Sequence, residues 1–449
     1  MANTYLTRTP SSAGNRKTFT LSAWVKRSKL SYDFAYMITA GQYNSDQMGQ
    51  FKFDSNDNLT ISGYASNGIK DFRVNTNRKF RDTSAWYHVL ASVDTTQSTA
   101  SDRVKLYVNG VQETSFEEAT YPSQNYDTAF NSVVDSLVGL RKGTTTYFDG
   151  SMSHVHMVDG TAYDATAFGE YDANGVWKIK TSPSVTYGTN GFFILKDGNS
   201  VTDQSGNGNN FTVGGGILTN TEDSPSNVFA TWNPLSYRNN DGQRYVTFSE
   251  GNNTAIGNSS ANNGNAYSSL GASSGKFYCE IKATDVRGTG YPNIGFMSEA
   301  GANRTNGGSG QITTAGGTAY LPDGRLVVDS SETASWGASY TDNDIIQLAM
   351  DLDNGALYFG KNGTWQNSGN PASGALKTGA ARSFTPDGTF QFFGAAVYES
   401  VCEVKANFGN GYFGTTAVAS AGTNASGIGI FEYDVPTGYT ALSTKGLNL

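Results

Sequence analysis

The chain of 449 residues contains few cysteines and histidines, with two of the first and three of the second. Cys279 and Cys402 are too few for a disulfide framework, so we expect both to be small apolar core residues. A single disulfide between them stays open if their strands are neighbours. His154 and His156 stand two apart on a predicted strand and therefore share a face, but a zinc site would need a further ligand nearby. The scarcity of cysteine and histidine argues against a fold stabilised by disulfides or by structural zinc.

Charge is also scarce, because only 16% of the residues are charged and the net charge at pH 7 is −8. A nucleic-acid partner requires a basic stripe, and the basic residues between 73 and 81 alternate with polar ones as on a solvated strand face. No apolar run approaches membrane-spanning length. The first residues are polar and carry no secretion signal, which predicts synthesis in a cytoplasm.

Glycine and aromatic residues, by contrast, are abundant, with 53 Gly, 25 Tyr and 25 Phe. Apolar residues alternate with polar ones in the segments FTLSAWV (19–25) and VKLYV (104–108), and the turn pair Asn109–Gly110 follows the second. Residues 1–190 show no sustained helical period, and only short helical turns are expected near residues 161–168. The composition and the alternation together predict an all-β protein with many tight turns.

The chain divides into three predicted segments. Residues 1–190 form a first β-sandwich and residues 241–449 a second, in which an alternating strand at 345–352 returns after a turn at Asp353–Gly355. Residues 191–240 consist mostly of turn formers, but the short apolar runs at 192–195 and 211–213 predict an ordered connector and not a free linker.

The first segment resembles a laminin G-like, concanavalin A-type jelly roll. The residues that carry this resemblance span most of 1–165 and are FTLSAWV (19–25), WYHV (86–89), VKLYVNG (104–110) and FDGSMSHV (148–155). Such modules bind glycans or proteins, often with calcium, so the resemblance implies a binding domain. Asp94, which follows a strand, and Asp46, in another polar loop, are the candidate calcium ligands.

The second segment resembles a SPRY domain over residues 241–415. The residues that carry this resemblance are GKFYCEI (275–281), IGF (294–296), residues 344–352 with the following strand LYF (357–359), and residues 392–409. The joining residues DSPSNVFATWNPL (223–235) are similar to connectors in virion proteins of marine tailed bacteriophages. Taken together, these resemblances imply a bacteriophage structural protein located in the virion, with other virion proteins and a host-surface glycan or protein as partners.

The predicted function is therefore a non-enzymatic tail fibre or receptor-binding protein that forms a homo-oligomer. Trimers are common in fibres, but the sequence does not determine the number of copies. The alternative is a capsid decoration or tail-fibre connector protein. Glycoside hydrolysis is a further alternative, since related jelly rolls perform it with two facing carboxylates. The chain lacks the strand motif Glu-x-Asp-x-x-Glu, and Glu113, Glu117 and Glu118 have the wrong spacing for it.

Aromatic residues in or beside polar loops are the candidate ligand contacts, because sugar-binding surfaces stack Tyr or Trp on pyranose rings. The candidates in the first segment are Tyr36, Tyr43 and Tyr64. Those in the second are Tyr291, Asn293, Tyr320, Arg325 and Trp336. The polar insert at 299–317 cannot pack a core and is expected to be a binding loop or contact surface.

Overall fold

The computed structural model describes residues 3–31, 34–196, 200–235, 244–259, 262–288, 290–302 and 312–449. The chain divides into two units, Met1–Asn220 and Thr221–Leu449. The predicted connector 191–240 is thereby divided: strands within its first part pair in the sheets of the first unit, and residues from Thr221 onward belong to the second. None of the described helices is long and apolar enough to cross a membrane.

The described part of the first unit contains sixteen strands. They are β1 (Tyr5–Arg8), β2 (Thr18–Arg27), β3 (Ala35–Ala40), β4 (Met48–Phe53), β5 (Asn58–Tyr64), β6 (Lys70–Lys79), β7 (Trp86–Asp94), β8 (Val104–Val108), β9 (Val111–Gln112), β10 (Phe116–Thr120), β11 (Ser136–Val138), β12 (Gly150–Asp159), β13 (Gly169–Tyr171), β14 (Trp177–Ile179), β15 (Phe192–Ile194) and β16 (Thr212–Gly215). Short 3-10 helices span Ala100–Asp102 and Ala165–Ala167.

These strands form two antiparallel sheets that share one core. The eight-stranded sheet has the order β10-β6-β5-β4-β3-β11-β1-β16, and the six-stranded sheet has the order β15-β12-β2-β7-β8-β9. A separate hairpin joins β13 to β14. Phe19 and Leu21 of β2 and Phe51 and Phe53 of β4 belong to the same buried cluster, so the inward faces of both sheets supply the core. The architecture is the predicted β-sandwich.

The outward face of the six-stranded sheet is also buried, under the chain segment that follows β12. His88 stacks between Trp24 and Trp177, with ring centroids 5.1 and 5.9 Å away. Trp177 donates its indole N–H to Nδ1 of His88 at 3.2 Å, and Oγ of Ser22 lies 2.9 Å from Nε2. Because the ring is fully enclosed, burial lowers the pKa of His88 to about 3, so it is neutral at pH 7.

A buried ion pair fixes the loop between β4 and β5 to the end of β2. Asp57 accepts hydrogen bonds from the guanidinium groups of Arg27 at 2.9 Å and Arg81 at 2.8 Å. The backbone N–H of Ser31 adds a third at 2.8 Å. The Asp57 side chain is 0% exposed and that of Arg27 is 2% exposed, so solvent cannot replace the lost partner if either is removed.

The described part of the second unit contains seventeen strands and one short helix. The strands are β17 (Val246–Ser249), β18 (Thr254–Gly257), β19 (Gly264–Tyr267), β20 (Lys276–Asp285), β21 (Asn293–Ser298), β22 (Gly317–Tyr320), β23 (Leu326–Val328), β24 (Ser331–Thr333), β25 (Ile345–Asp351), β26 (Ala356–Lys361), β27 (Thr364–Trp365), β28 (Arg382–Ser383), β29 (Gln391–Val397), β30 (Glu403–Asn407), β31 (Tyr412–Phe413), β32 (Thr416–Ala417) and β33 (Thr440–Ala441). The α-helix α1 spans Glu299–Ala302, and 3-10 helices span Gln366–Ser368, Pro371–Leu376 and Gly446–Asn448.

The second unit is again a sandwich of two sheets. One has the central order β17-β18-β30-β20-β25-β26-β27, with β28 added to β26 and β33 to β20, and the other has the order β19-β29-β21-β22-β23-β24. Cys279, Leu348 and Phe359 from the first sheet and Phe296 and Phe393 from the second share one buried cluster. Cys279 and Cys402 are both buried free thiols, which confirms the expectation of core residues.

The C-terminal segment packs along the outer face of the β20-containing sheet. Phe431 and Tyr439 pack with Tyr278 in a buried cluster. Glu280 of β20 accepts the backbone N–H groups of Glu432 and Tyr433, each at 2.8 Å. Burial raises the pKa of Glu280 to about 7.

We predict that Asp57→Asn strongly destabilises the first unit, because it leaves the buried Arg27 without its counter-charge. The expected loss is about 3 kcal/mol or more, read from hydrogen exchange of the β2 amides. The matched control is Asp102→Asn, which removes an exposed pair with Lys105 at 3.1 Å and should cost no more than about 0.5 kcal/mol. Equal effects of the two substitutions would show that the buried pair contributes no more than a surface pair.

The two units should respond to pH in opposite directions between pH 7.5 and 5.5. All three histidines lie in the first unit, and burial lowers the pKa of His88 and His156. An unfolded histidine takes up a proton near pH 6.5, whereas the buried histidines stay neutral. Below about pH 6.5, each of these histidines therefore shifts the folding free energy toward the unfolded first unit by about 1.4 kcal/mol for every pH unit. Glu280, with its raised pKa, instead makes the second unit more stable as the pH falls.

Hydrogen exchange of individual peptides during urea unfolding reports the stability of each unit separately. This measurement therefore distinguishes the two responses. His88→Gln should reduce the response of the first unit by about half, because His156 remains, and leave that of the second unchanged. A first unit equally stable at pH 7.5 and 5.5 would contradict the neutral-histidine interpretation.

Candidate functional site

The face of the eight-stranded sheet that points away from the core carries buried polar side chains. Because successive strand residues point to opposite faces, Phe51 and Phe53 enter the core while Gln50 and Lys52 face away. The cross-strand partner of Gln50 is Ser62. We call this surface the polar face, and its members are Thr39, Gln50, Lys52, Thr60, Ser62 and Asn75. All six are buried, which is unusual for a sheet face that lacks an apolar stripe.

Aromatic rings and two cations gather beside the polar face. The amine of Lys52 lies 3.7 Å from the ring centroid of Phe34 and 5.1 Å from that of Tyr36. The guanidinium carbon of Arg141 lies 5.4 Å from the Tyr36 centroid and 5.8 Å from that of Tyr43. We call this group the aromatic–cation cluster, and its members are Phe34, Tyr36, Tyr43, Lys52, Tyr64 and Arg141.

The electrostatics of Lys52 follow from this crowding. Burial, together with the charges of Arg73 and Arg141, lowers the pKa of Lys52 to about 7, although Asp54 acts in the opposite direction. Its amine is therefore partly neutral near pH 7. An anion placed beside it would restore the charged form, because an opposite charge within a few ångströms favours ionisation.

Several buried polar atoms beside the cluster lack a hydrogen-bond partner. They are Oε1 of Gln50, Oγ of Ser62 and Nε of Arg141. Gln50 and Ser62 are 1% and 0% exposed, and a buried polar group without a partner costs about 1–3 kcal/mol. Most buried polar groups of folded proteins have a partner, so these three atoms are exceptions.

Two carboxylates lie near each other on the same side of the sheet. Asp54 and Glu117 both accept a hydrogen bond from Nδ2 of Asn75, at 3.1 and 3.0 Å. Asp54 also accepts a bond from Arg73 at 2.9 Å and from the backbone N–H groups of Asn56 and Asn58 at 2.9 and 3.1 Å. Both oxygens of Asp54 are thus occupied by a turn and an ion pair.

The structure brings the three predicted tyrosines of the first unit together. Tyr36 is buried at 1% exposure, so its ring supports the two cations and cannot itself stack on a sugar. Tyr43 is 41% exposed and contacts Tyr64 edge to face, with centroids 5.8 Å apart. Sequence reasoning missed Lys52. A lysine between two phenylalanines on a strand (FKF, 51–53) is expected to point away from the core and into solvent.

The two candidate calcium ligands are engaged in hydrogen bonds of their own loops. Asp94 accepts hydrogen bonds from the side chains of Thr18, Thr96 and Gln97. Asp46 lies in the turn after β3, where its N–H bonds to the carbonyl of Gln42 at 2.8 Å. Within the described ranges, no group of three or more His, Cys, Asp or Glu side chains could hold a metal ion. Asp94 functions here as a turn-stabilising carboxylate.

The predicted residues of the second unit contribute mainly to packing. Tyr320 is 0% exposed and its ring centroid lies 5.6 Å from that of Trp336. Asn293, on β21, is 3% exposed, so neither Tyr320 nor Asn293 presents a free surface. The ring of Tyr291 lies 5.2 Å from that of Tyr398 and also packs against the core.

The remaining rim candidates are partly occupied as well. Arg325 contacts Asp323 and Glu332, both at 2.7 Å. The insert predicted at 299–317 begins with α1, and its central residues 303–311 lie outside the described part of the chain. The aromatic–cation cluster of the first unit is therefore the better-defined candidate site.

Comparison with known proteins agrees with the architecture. Residues 2–165 match the family model Laminin_G_3, described as the Concanavalin A-like lectin/glucanases superfamily. No curated protein matches the chain.

Three solved structures illustrate the structural similarity. The SPRY domain of human HERC1 is 18% identical, covers 39% of this chain and 96% of its own, and has a TM-score of 0.29. A human SPRY domain is 17% identical, with 36% and 94% coverage and a TM-score of 0.27. The heptameric SAP-like pentraxin from Limulus polyphemus is 13% identical, with 36% and 72% coverage and a TM-score of 0.27. The match of residues 2–165 to the family model gives the first unit the laminin G-like, concanavalin A-like lectin fold. SPRY domains are among the structural neighbours of the chain.

Proposed function

We propose that this protein is a non-enzymatic glycan-binding protein whose ligand site is the aromatic–cation cluster of the first unit. The observation that carries the proposal is the exposed ring of Tyr43, backed by Tyr64 and Arg141 beside buried polar atoms that lack partners. Sugar sites combine an aromatic face with a few directed polar groups. The lectin part of the matched family's description supports the same class of ligand.

We further propose that the protein is a component of a bacteriophage virion, most consistent with a tail fibre or receptor-binding role. The support is the connector sequence at 223–235 and the pairing of two binding-type sandwiches in one chain. In this proposal the first unit contacts the host-surface glycan, while the second contacts another virion protein. Assembly as a symmetric homo-oligomer, such as a trimer, would multiply weak sugar contacts into firm attachment.

The binding proposal predicts that Tyr43→Ala weakens glycan affinity by about tenfold or more, since one stacked ring contributes about 1–2 kcal/mol. Glycan-array binding followed by calorimetry on the oligosaccharides that bind measures the change. The matched control is Tyr171→Ala, which removes another exposed tyrosine of the first unit, 52% exposed and located on β13. Equal losses for both variants, or binding by neither variant nor wild type, would refute the assigned site.

The virion proposal predicts that antibodies against the first unit label the distal end of the phage tail and block adsorption to host cells. Immunogold electron microscopy and an adsorption assay give the two readouts. Labelling spread over the capsid lattice would instead support the alternative role in capsid decoration. Labelling at the base of a fibre would support the connector role.

Glycoside hydrolysis is the second candidate function, because Asp54 and Glu117 share a hydrogen-bond donor on one sheet face. Retaining glycosidases place their two carboxyl groups about 5–5.5 Å apart. The occupied oxygens of Asp54 weigh against a nucleophilic role. Release of reducing ends from a bound polysaccharide, abolished by Glu117→Gln, would establish the enzyme and overturn the non-enzymatic proposal.

A further inference from the structure

All three histidines of the chain lie on two strands of the six-stranded sheet, β7 and β12. Two of them, His88 and His156, are covered on the outward face of that sheet by residues 161–187, which we call the cap. Trp177 of the cap stacks on His88, and Tyr187 stacks on His156, with ring centroids 5.9 and 6.1 Å apart. Because His88 is 0% and His156 1% exposed, both rings reach water only if the cap moves.

The hydrogen bonds of His88 require a neutral ring. The indole N–H of Trp177 donates to Nδ1 of His88 at 3.2 Å, so Nδ1 carries no proton. The single proton of the neutral ring then lies on Nε2, which donates to Oγ of Ser22 at 2.9 Å. A proton added to Nδ1 would set two N–H donors against each other and break the bond between the sheet and the cap.

His156 forms the second contact between the sheet and the cap. Its Nδ1 lies 2.9 Å from the hydroxyl of Tyr187, and the ring centroid of Phe168, also in the cap, lies 4.9 Å from its own. A charged imidazolium enclosed by these rings would lose its hydration, which is unfavourable. Protonation of His156 therefore favours the same movement of the cap as protonation of His88.

The cap can leave the sheet without disrupting the pairing of either main sheet. Its strands β13 and β14 pair with each other in a separate hairpin. In the described part of the chain, the backbone hydrogen bonds of residues 165–180 end within the cap, as where the N–H of Lys180 donates to the carbonyl of Phe168 at 3.0 Å. Side chains such as Trp177 thus hold the cap, and a segment held in this way can open locally at a lower free energy than the whole unit.

The two histidines are the groups of this contact that titrate between pH 7.5 and 5.5. Among the described residues, burial alone lowers the pKa of His88, while His154 and His88 add to the effect of burial at His156. The charged side chains of the cap bond to one another or to their own turn, and their carboxylates titrate near pH 4. These side chains are Asp164, Glu170, Asp172, Lys178 and Lys180.

We infer that the cap is released by acid: protonation of His88 and His156 detaches it from the outward face of the six-stranded sheet while the two main sheets stay paired. A histidine in the open state takes up its proton near pH 6.5, whereas the enclosed rings stay neutral, so the closed state loses stability as the pH falls below that value. Between pH 7.5 and 5.5 the opening equilibrium should rise about tenfold for each histidine and about a hundredfold for the two. This release is independent of the proposed glycan site.

Hydrogen exchange of the full-length protein at pH 7.5, 6.5 and 5.5 measures this opening, after correction for the intrinsic exchange rate at each pH. The protection factors of cap peptides should fall about a hundredfold across this range in the wild type and about tenfold in His88→Gln. At each pH they should be lower than those of peptides from β4 and β5. They should also be insensitive to about 1 M urea, because opening of the cap alone exposes little surface.

Glu170→Gln is the matched control, because it removes a charge from the same hairpin on a side chain that is 66% exposed. It should leave the hundredfold response unchanged. A second measurement needs no variant. In wild-type protein labelled with ¹⁵N at histidine, the chemical shifts of His88 at pH 7.5 should show a proton on Nε2 and none on Nδ1.

Four results would overturn the inference. The first is cap protection that does not change with pH, and the second is a response that stays hundredfold in His88→Gln. The third is equal protection and equal urea dependence of the cap and of β4 and β5, because the cap then opens only when the whole unit unfolds. The fourth is a proton on Nδ1 of His88 at pH 7.5, which excludes the hydrogen bond from Trp177.

Discussion

The structure of the first unit depends on how buried polar side chains find hydrogen-bond partners. Central strands such as β4 and β5 are buried on both faces, so the polar residues that alternate with core residues there are also removed from water. Each such group must be satisfied within the protein or it lowers the stability of the fold. Asp57, bonded to Arg27, Arg81 and Ser31, meets that condition fully.

On the polar face, only some of the buried polar groups have hydrogen-bond partners. Asp54, Asn75 and Arg73 form a bonded network, whereas Gln50 and Ser62 a short distance along the strands retain atoms without partners. The condition is met incompletely at other places in this unit as well, since Nε1 of Trp24 and Oδ1 of Asn58 are also buried without a partner.

The second unit shows another use of the same constraint. Glu280 is buried, yet it is stabilised by the backbone N–H groups of Glu432 and Tyr433, and so it anchors the C-terminal segment across the sheet. The rings of Tyr278 and Phe431 complete this contact. Most aromatic residues of this unit take part in such packing. The residues predicted as its ligand contacts therefore contribute less to the candidate site.

Strand alternation in the sequence was enough to predict the all-β class, the two sandwiches and core residues such as Leu21, Leu348 and Cys279, because burial on a sheet follows a period of two. Tyr36, Tyr43 and Tyr64 were predicted as ligand contacts for another reason, their place in or beside polar loops, and that role stays a prediction. The sequence could not predict that Tyr36 is buried, or that Arg141, about a hundred residues away, lies over its ring, since that contact depends on β11 pairing with β3. Local pattern thus determined which residues alternate, while the pairing of distant strands decided which polar side chains share a face and which of them lack a partner.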